Sequence, residues 1–151
     1  MTVAFCGHSE YTPSNADEKK ILALLEKLIG DRDAEILLGG YGFFDEFARK
    51  CSKKYQETRP NAKLIFVTPY VTLDYQKNHL DYVKNLYDGI ACPELEKVPL
   101  KFAISYRNKW MVEQADYVIA YITHTWGGAY QTYKHAQRKK KPLFNITDNQ
   151  I

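Results

Sequence analysis

The run Tyr117-Val118-Ile119-Ala120-Tyr121-Ile122 is apolar throughout and rich in β-branched and aromatic residues. It lacks the polar alternation of a half-exposed strand, so it predicts a strand buried on both faces. Such a strand needs helices on either side of its sheet, which confines the chain to α/β architecture. A polar corner, Thr123 to Thr125, follows, then Trp126, Gly127 and Gly128, then a stretch from about Ala129 to Lys140 that reads as helix. Strand, glycine turn and helix start together make an anion site. Glycine lets a ligand approach the backbone, and the N–H groups of the first helical turn point at it. Arg107 lies upstream on the preceding helix, in position to reach over the same edge as a bidentate phosphate ligand.

The rest of the chain repeats the pattern. Thr2 to Cys6 predicts a first strand, ended by Gly7-His8-Ser9-Glu10. Ser14-Asn15-Ala16-Asp17 has capping-box spacing, and Ile21, Leu24, Leu25, Leu28 and Ile29 recur at helical intervals after it. Gly30-Asp31 closes that helix and Ala34 to Leu38 predicts a second strand. After Gly39-Gly40-Tyr41-Gly42, a second helix places Phe44, Phe47, Ala48, Cys51 and Tyr55 on one face. Pro60-Asn61 is a loop, and Ala62 to Thr68 predicts a third strand, ended by Pro69. Asp74 to Leu86 has helical spacing, Tyr87 to Cys92 reads as a short edge strand, and Glu94 to Pro99 as loop. Leu100 to Ala115 reads as helix with Leu100, Ala103, Ile104, Met111 and Ala115 inward, and Leu143 to Ile146 as a last strand.

Strands alternating with helices predict a Rossmann-like, mainly parallel sheet with helices on both faces, in a single domain over residues 1–151. Ligands of such sheets bind outside the C-terminal strand ends, where the strand order switches. Three strands end in small or polar residues at that edge: the first at Gly7-His8, the second at Gly39 to Gly42 with Asp45 just beyond, and the fifth at Thr125 to Gly128. Two glycine turns and one arginine on a shared rim favour a phosphate-bearing ligand. The dinucleotide fingerprint itself is not met, because Gly40-Tyr41-Gly42 runs on to Asp45 where the third glycine would stand.

Composition narrows the function classes. The chain is 45% hydrophobic and 26% charged, which is globular rather than disordered. A net charge of +3 is too small to argue for nucleic acid but suits a small anion. The run Arg138-Lys139-Lys140-Lys141 falls at a helix C-terminus, where cations are favoured by the helix dipole, so nucleic acid is not the expected partner. Cys6, Cys51 and Cys92 form no C-x-x-C pair, which favours a reducing compartment. The N-terminal residues do not form a signal segment and no apolar run reaches membrane length, so the expected location is cytoplasmic. His79, His124 and His135 lack ligand spacing with any cysteine or acid cluster, so neither a metal nor another cofactor is expected. The twelve tyrosines suit a base-stacking pocket or a subunit interface.

The chain resembles the SLOG superfamily, the DNA-processing-protein and LOG-type Rossmann-like group, nearest its stand-alone YpsA-like branch. The resemblance runs over nearly the whole chain. It rests on Phe5-Cys6-Gly7-His8, Gly39 to Ala48, Thr68-Pro69-Tyr70, Arg107-Asn108 with Met111 and Asp116, and Gly127-Gly128 with Ala136. It implies a nucleotide-derived ligand at the sheet's C-terminal rim and a homo-oligomer. The LOG-type enzymes cleave the N-glycosidic bond of nucleoside monophosphates, with an upstream arginine and a glutamate shortly after a Gly-Gly-x-Gly-Thr turn. Arg107 stands where that arginine would, but Tyr130-Gln131 replaces Gly-Thr and Lys134 falls where the acid would be. A lysine does not stabilise an oxocarbenium-like sugar as a carboxylate does. Other members resemble sensors of ADP-ribose or its cyclic forms, usually fused to an effector, and no effector is expected within these 151 residues.

These readings converge on a ligand-binding rim of Gly7, His8, Gly39, Gly40, Tyr41, Gly42, Asp45, Tyr70, Arg107, Asn108, Thr125, Trp126, Gly127 and Gly128. His8 is either a base or phosphate donor, or a loop histidine bonded to backbone. Asp45 is either a ribose-hydroxyl ligand or a first-turn helix acid, and Asp116 is structural. Tyr41, Tyr70 and Trp126 are the candidates for stacking on a base. The expected function is a protein that holds, and so sequesters, an ADP-ribose or cyclic ADP-ribose type of signal. The alternative is a nucleotide N-glycosidase with His8, Asp45 or Glu10 as acid or base.

Overall fold

The computed structural model describes residues 1–69, 83–95 and 97–148. Tyr70 and most of the helix expected from Asp74 to Leu86 lie outside the described residues. The strands are β1 (Thr2–Gly7), β2 (Ala34–Leu38), β3 (Ala62–Val67), β4 (Gly89–Ala91), β5 (Tyr117–Tyr121) and β6 (Leu143–Asn145). The helices are α1 (Asn15–Leu28), α2 (Phe43–Thr58), α3 (Ala103–Gln114) and α4 (Gly128–Arg138). The strands form a six-stranded sheet in the order β4-β3-β2-β1-β5-β6, and every pairing is parallel. The expected doubly covered, Rossmann-like α/β fold is therefore the one observed.

The sheet's burial follows from its apolar strands. In β5, Val118, Ile119 and Ala120 are all fully buried. Their side chains alternate between two cores: Ile119 packs with residues of α1 and α2, and Val118 and Ala120 with residues of α3 and α4. Burying one such isoleucine contributes about 1.5–3 kcal/mol. Ser14 starts α1 as its spacing predicts, its hydroxyl accepting the Asp17 N–H at 3.1 Å, a cap worth about 1 kcal/mol. Asp116 is structural: its carboxylate accepts the Thr2 N–H at 2.8 Å and ties the start of β1 to the start of β5.

Leu100 departs from expectation. It is 69% exposed rather than inward. The chain from Leu100–Phe102 forms a 3-10 turn before α3 begins, with the Phe102 N–H donating to Pro99 O at 2.8 Å. Three residues per turn instead of 3.6 shift the side-chain phase, so Leu100 leaves the inward stripe of α3. Arg107 and Met111 remain on that stripe and are buried.

The connectivity positions the site. β1 is flanked by β2 on one side and β5 on the other, and the strand order reverses there. The turns leaving the three strands at this switch diverge and leave a crevice between them.

Candidate functional site

A cavity of about 270 Å³ lies at that crevice. The β1 end supplies Gly7 and His8, the turn after β2 supplies Gly39 and Tyr41, and α2 supplies Asp45. α3 contributes Arg107 and Asn108, and the turn into α4 contributes Trp126, Gly127 and Gly128. Gly40, Gly42 and Thr125 are not in its lining, and Tyr70 is outside the described residues.

The two glycine turns do different work. At α2 the turn is filled by protein. A Cβ on Gly40 would lie 2.6 Å from the Phe66 ring, and one on Gly42 would lie 2.6 Å from the Ser9 Cα. The Phe43 N–H already donates to Ser9 O at 2.8 Å. At α4 the turn is open. Among the described residues no side chain caps the helix, its Gln131 N–H bonds back to Gly127 O at 3.1 Å, and a Cβ on Gly128 would meet nothing within 4 Å. Gly127 supplies the required turn with φ +92°, a conformation costly for other residues. The N–H groups of the first turn of α4 therefore face the cavity mouth, with the positive end of the helix dipole behind them.

His8 is buried, and its Nε2 accepts the Thr123 N–H at 3.0 Å. Because that backbone group can only donate, the ring is neutral and carries its proton on Nδ1. Burial, with His124 adding to it, lowers the His8 pKa. His8 stacks on His124 at 3.7 Å between ring centroids, and His124 stacks on Trp126 at 3.6 Å. Among the described residues the buried His124 Nδ1 has no hydrogen-bond partner. Trp126 at the end of the stack is 68% exposed.

Asp45 and Arg107 form the opposite wall. Arg107 is 1% exposed. Its Nη1 donates to Gly39 O and, at 2.8 Å, to Val67 O, and its Nε donates to Asn108 Oδ1 at 2.9 Å. The guanidinium thus holds the carbonyl ends of β2 and β3 and stands in the wall as a fixed positive charge. Asp45 Oδ2 accepts the Tyr41 N–H at 2.9 Å. Burial pushes the Asp45 carboxyl up to about 6, against the opposing pull of the Tyr41 N–H and the Arg107 charge. Desolvation disfavours the charged form more than those partners favour it.

Cys6 also lines the cavity, but burial pushes its thiol up to about 12, which removes it as a nucleophile at neutral pH. Lys134 is not in the lining, whereas Glu10 is. Phe5, Ser9, Ile104, Met111, His124, Ala129 and Thr132 also line the cavity and are not among the residues that the sequence motifs single out for the rim. Ile104 and Met111 carry the helical spacing of a core face, the same signal that buried α3 residues give. Among the described residues, no group of three or more His, Cys, Asp or Glu side chains is placed to hold a metal ion. No helix among them is long and apolar enough to cross a membrane. A wider groove of about 520 Å³ lies between α1 and α2, where Lys54 pairs with Glu18 and Lys50 with Glu46.

The fold and rim define a Rossmann-like α/β protein with a crevice at the sheet switch. No family model and no curated protein matches the chain by sequence. Solved structures match it in fold. The single-stranded-DNA-binding DNA processing protein A of Helicobacter pylori has a TM-score of 0.62 and 21% identity, over 96% of this chain and 64% of its own. DNA processing protein A of Streptococcus pneumoniae has a TM-score of 0.62 and 18% identity, over 95% of this chain and 49% of its own. This chain therefore spans about two thirds and one half of those two proteins. The molybdenum cofactor carrier protein of Chlamydomonas reinhardtii has a TM-score of 0.56 and 13% identity, over 94% of this chain and 73% of its own. The likeness to these structures shows a shared Rossmann-like α/β fold.

Proposed function

We propose that the protein binds a nucleotide-derived small molecule of the ADP-ribose or cyclic ADP-ribose type at the C-terminal rim of the sheet, and sequesters it. By motif order it stands nearest the stand-alone YpsA-like branch of the superfamily, and it draws its ligand from the cytoplasmic pool. The observation that carries the reading is the uncapped start of α4, which opens into a cavity whose far wall holds Asp45 beside Arg107. The helix start suits a phosphate, and the carboxylate suits sugar hydroxyls. The cavity is slightly smaller than the roughly 300–1,000 Å³ of pockets for drug-sized ligands. It accommodates the ribose-phosphate part of such a molecule, with the remainder over the mouth, where Tyr41 and Trp126 are exposed.

A sink lowers free ligand only when its affinity is submicromolar, about −8 kcal/mol or better. The test mixes the protein with ADP-ribose, cyclic ADP-ribose isomers, AMP or NAD, measures affinity by calorimetry, then heats it and identifies the released molecules. Tight binding and intact release are expected. Free base and ribose phosphate would establish the alternative, a nucleotide N-glycosidase. Asp45 favours that alternative, since a carboxyl held near 6 is suited to donate a proton at neutral pH.

The Helicobacter pylori neighbour binds single-stranded DNA. A single strand is therefore kept as a second ligand class beside the small molecule, although net charge and the helix-end position of the basic run do not point to nucleic acid. A short strand presents the same phosphates and bases, and anisotropy with a labelled oligonucleotide competes the two ligand classes directly. We also propose a homo-oligomer. Leu100, Phe102 and Tyr106 are all exposed where α3 begins, the kind of apolar surface a subunit contact covers. Light scattering is expected to give a multiple of 17.5 kDa; a monomer would end that proposal.

A further inference from the structure

We infer that the three-ring stack His8–His124–Trp126 is a base platform that accepts any nucleobase, so the site selects the ribose-phosphate part of its ligand and discriminates little between bases. The inference rests on the nucleotide reading of the same crevice. One face of the Trp126 indole is covered by His124, at 3.6 Å and 19° between ring planes, while the residue as a whole is 68% exposed. Its other face is therefore open at the cavity mouth. His124 is in turn backed by His8, at 3.7 Å and 15°. The His8 ring is fixed by the Thr123 N–H at 3.0 Å. The indole is held in place before any ligand arrives, which lowers the ordering entropy that stacking would otherwise cost.

The spacing suits a nucleotide. Trp126 lies two residues before Gly128, so the platform and the open helix start are within about 8 Å of one another along the chain. A sugar bridges a phosphate on α4 to a planar ring on the indole. The buried carboxyl of the cavity follows a different strand. Asp45 follows β2, Trp126 follows β5, and β1 lies between those strands. The strand ends that carry them are two strand spacings apart, about 10 Å, so a base stacked on Trp126 lies on the β5 side of the crevice and Asp45 on the β2 side. Stacking alone tolerates every base, because each has a π-face.

The test measures affinities of AMP, GMP, CMP, UMP, ADP-ribose and ribose 5-phosphate by calorimetry, with the intrinsic tryptophan fluorescence as a second signal. Wild type is expected to bind the four monophosphates within about fivefold of one another. Trp126→Ala is expected to weaken all four and ADP-ribose about tenfold or more and to leave ribose 5-phosphate unchanged. Trp126→Phe, which keeps a π-face, restores most of the loss. Melting temperatures of both variants exclude unfolding as the cause. A preference above a hundredfold for one base, unchanged nucleotide affinity in Trp126→Ala, or equal weakening of ribose 5-phosphate would overturn the platform while leaving the crevice reading in place. Binding of none of the six compounds would remove both.

Discussion

Asp45 and Arg107 face each other across the space left by the missing side chain of Gly39: a Cβ there would lie 3.1 Å from both the Asp45 Oδ2 and the Arg107 Cζ. The glycine at the end of β2 is therefore a spacer that lets an acid and a base share one buried wall. The two groups are unequal. Arg107 is held by backbone carbonyls from β2 and β3, and Asp45 by one N–H from Tyr41. The weaker solvation of the acid leaves it only partly offset by its neighbours, and its proton affinity rises.

That imbalance makes Asp45 a stability cost at neutral pH. Its folded pKa of about 6 stands above the ordinary 3.8. The group's contribution to stability is fully present below 3.8 and is lost as pH rises through about 6. Asp45→Asn keeps an acceptor for Tyr41 and does not ionise. It is expected to be more stable than wild type at pH 8 by about 3 kcal/mol, with the difference fading towards pH 4. Urea unfolding at both pH values checks this, and equal stability at pH 8 would show that the ionised carboxylate is well solvated.

Arg107→Ala is expected to destabilise the fold as well as weaken binding. It leaves the Gly39 and Val67 carbonyls without their donor and Asp45 without a counter-charge. Losses on breaking a buried charged group of this kind run about 3–5 kcal/mol. Denaturant midpoints measure the effect, and a midpoint equal to wild type would mean that water replaces the guanidinium.

Gly127 and Gly128 separate turn from site. Gly128→Val adds its side chain where no atom lies within 4 Å. It is expected to keep the melting temperature within a degree or two of wild type, about 0.5 kcal/mol, and to weaken ADP-ribose binding more than tenfold. Gly127→Val is strained by its φ of +92° and is expected to lose about 1–3 kcal/mol. Normal binding by folded Gly128→Val would reduce the α4 turn to a structural role.

Acid should open the ring stack. His8 accepts a backbone N–H and has a lowered pKa, so its contribution is present above the ordinary 6.5 and is lost as pH falls through the depressed folded value. Its ring neighbours are His124 and Tyr121. Near-ultraviolet circular dichroism of Trp126 is expected to change on acidification below 6.5 in wild type. His8→Gln, which accepts the same N–H without titrating, is expected to lose that transition. An identical transition in both would assign it to another group.

Local rules carried the sequence a long way. Ala34 to Leu38 reads as a strand because its apolar residues must be buried on both faces, and β2 has those bounds. The stripe of Phe44, Phe47, Ala48, Cys51 and Tyr55 reads as one helix face because its period is that of a helix, and all five are buried. The convergence of Gly7, Gly39 and Gly128 on one crevice follows from strand order, since parallel strands carry their C-terminal ends to one edge. What remained undecided was the environment of each group once there. Two glycine turns of similar composition look alike in sequence. Only the packing of Ser9 and Phe66 against Gly42 and Gly40 closes the first, and only the empty space at Gly128 leaves the second open to a ligand. Likewise nothing local to Arg107 announces that its Nη1 holds Gly39 O and Val67 O. Solvent exposure, charge balance and steric access are sums over residues distant in the chain, so tertiary structure decided them.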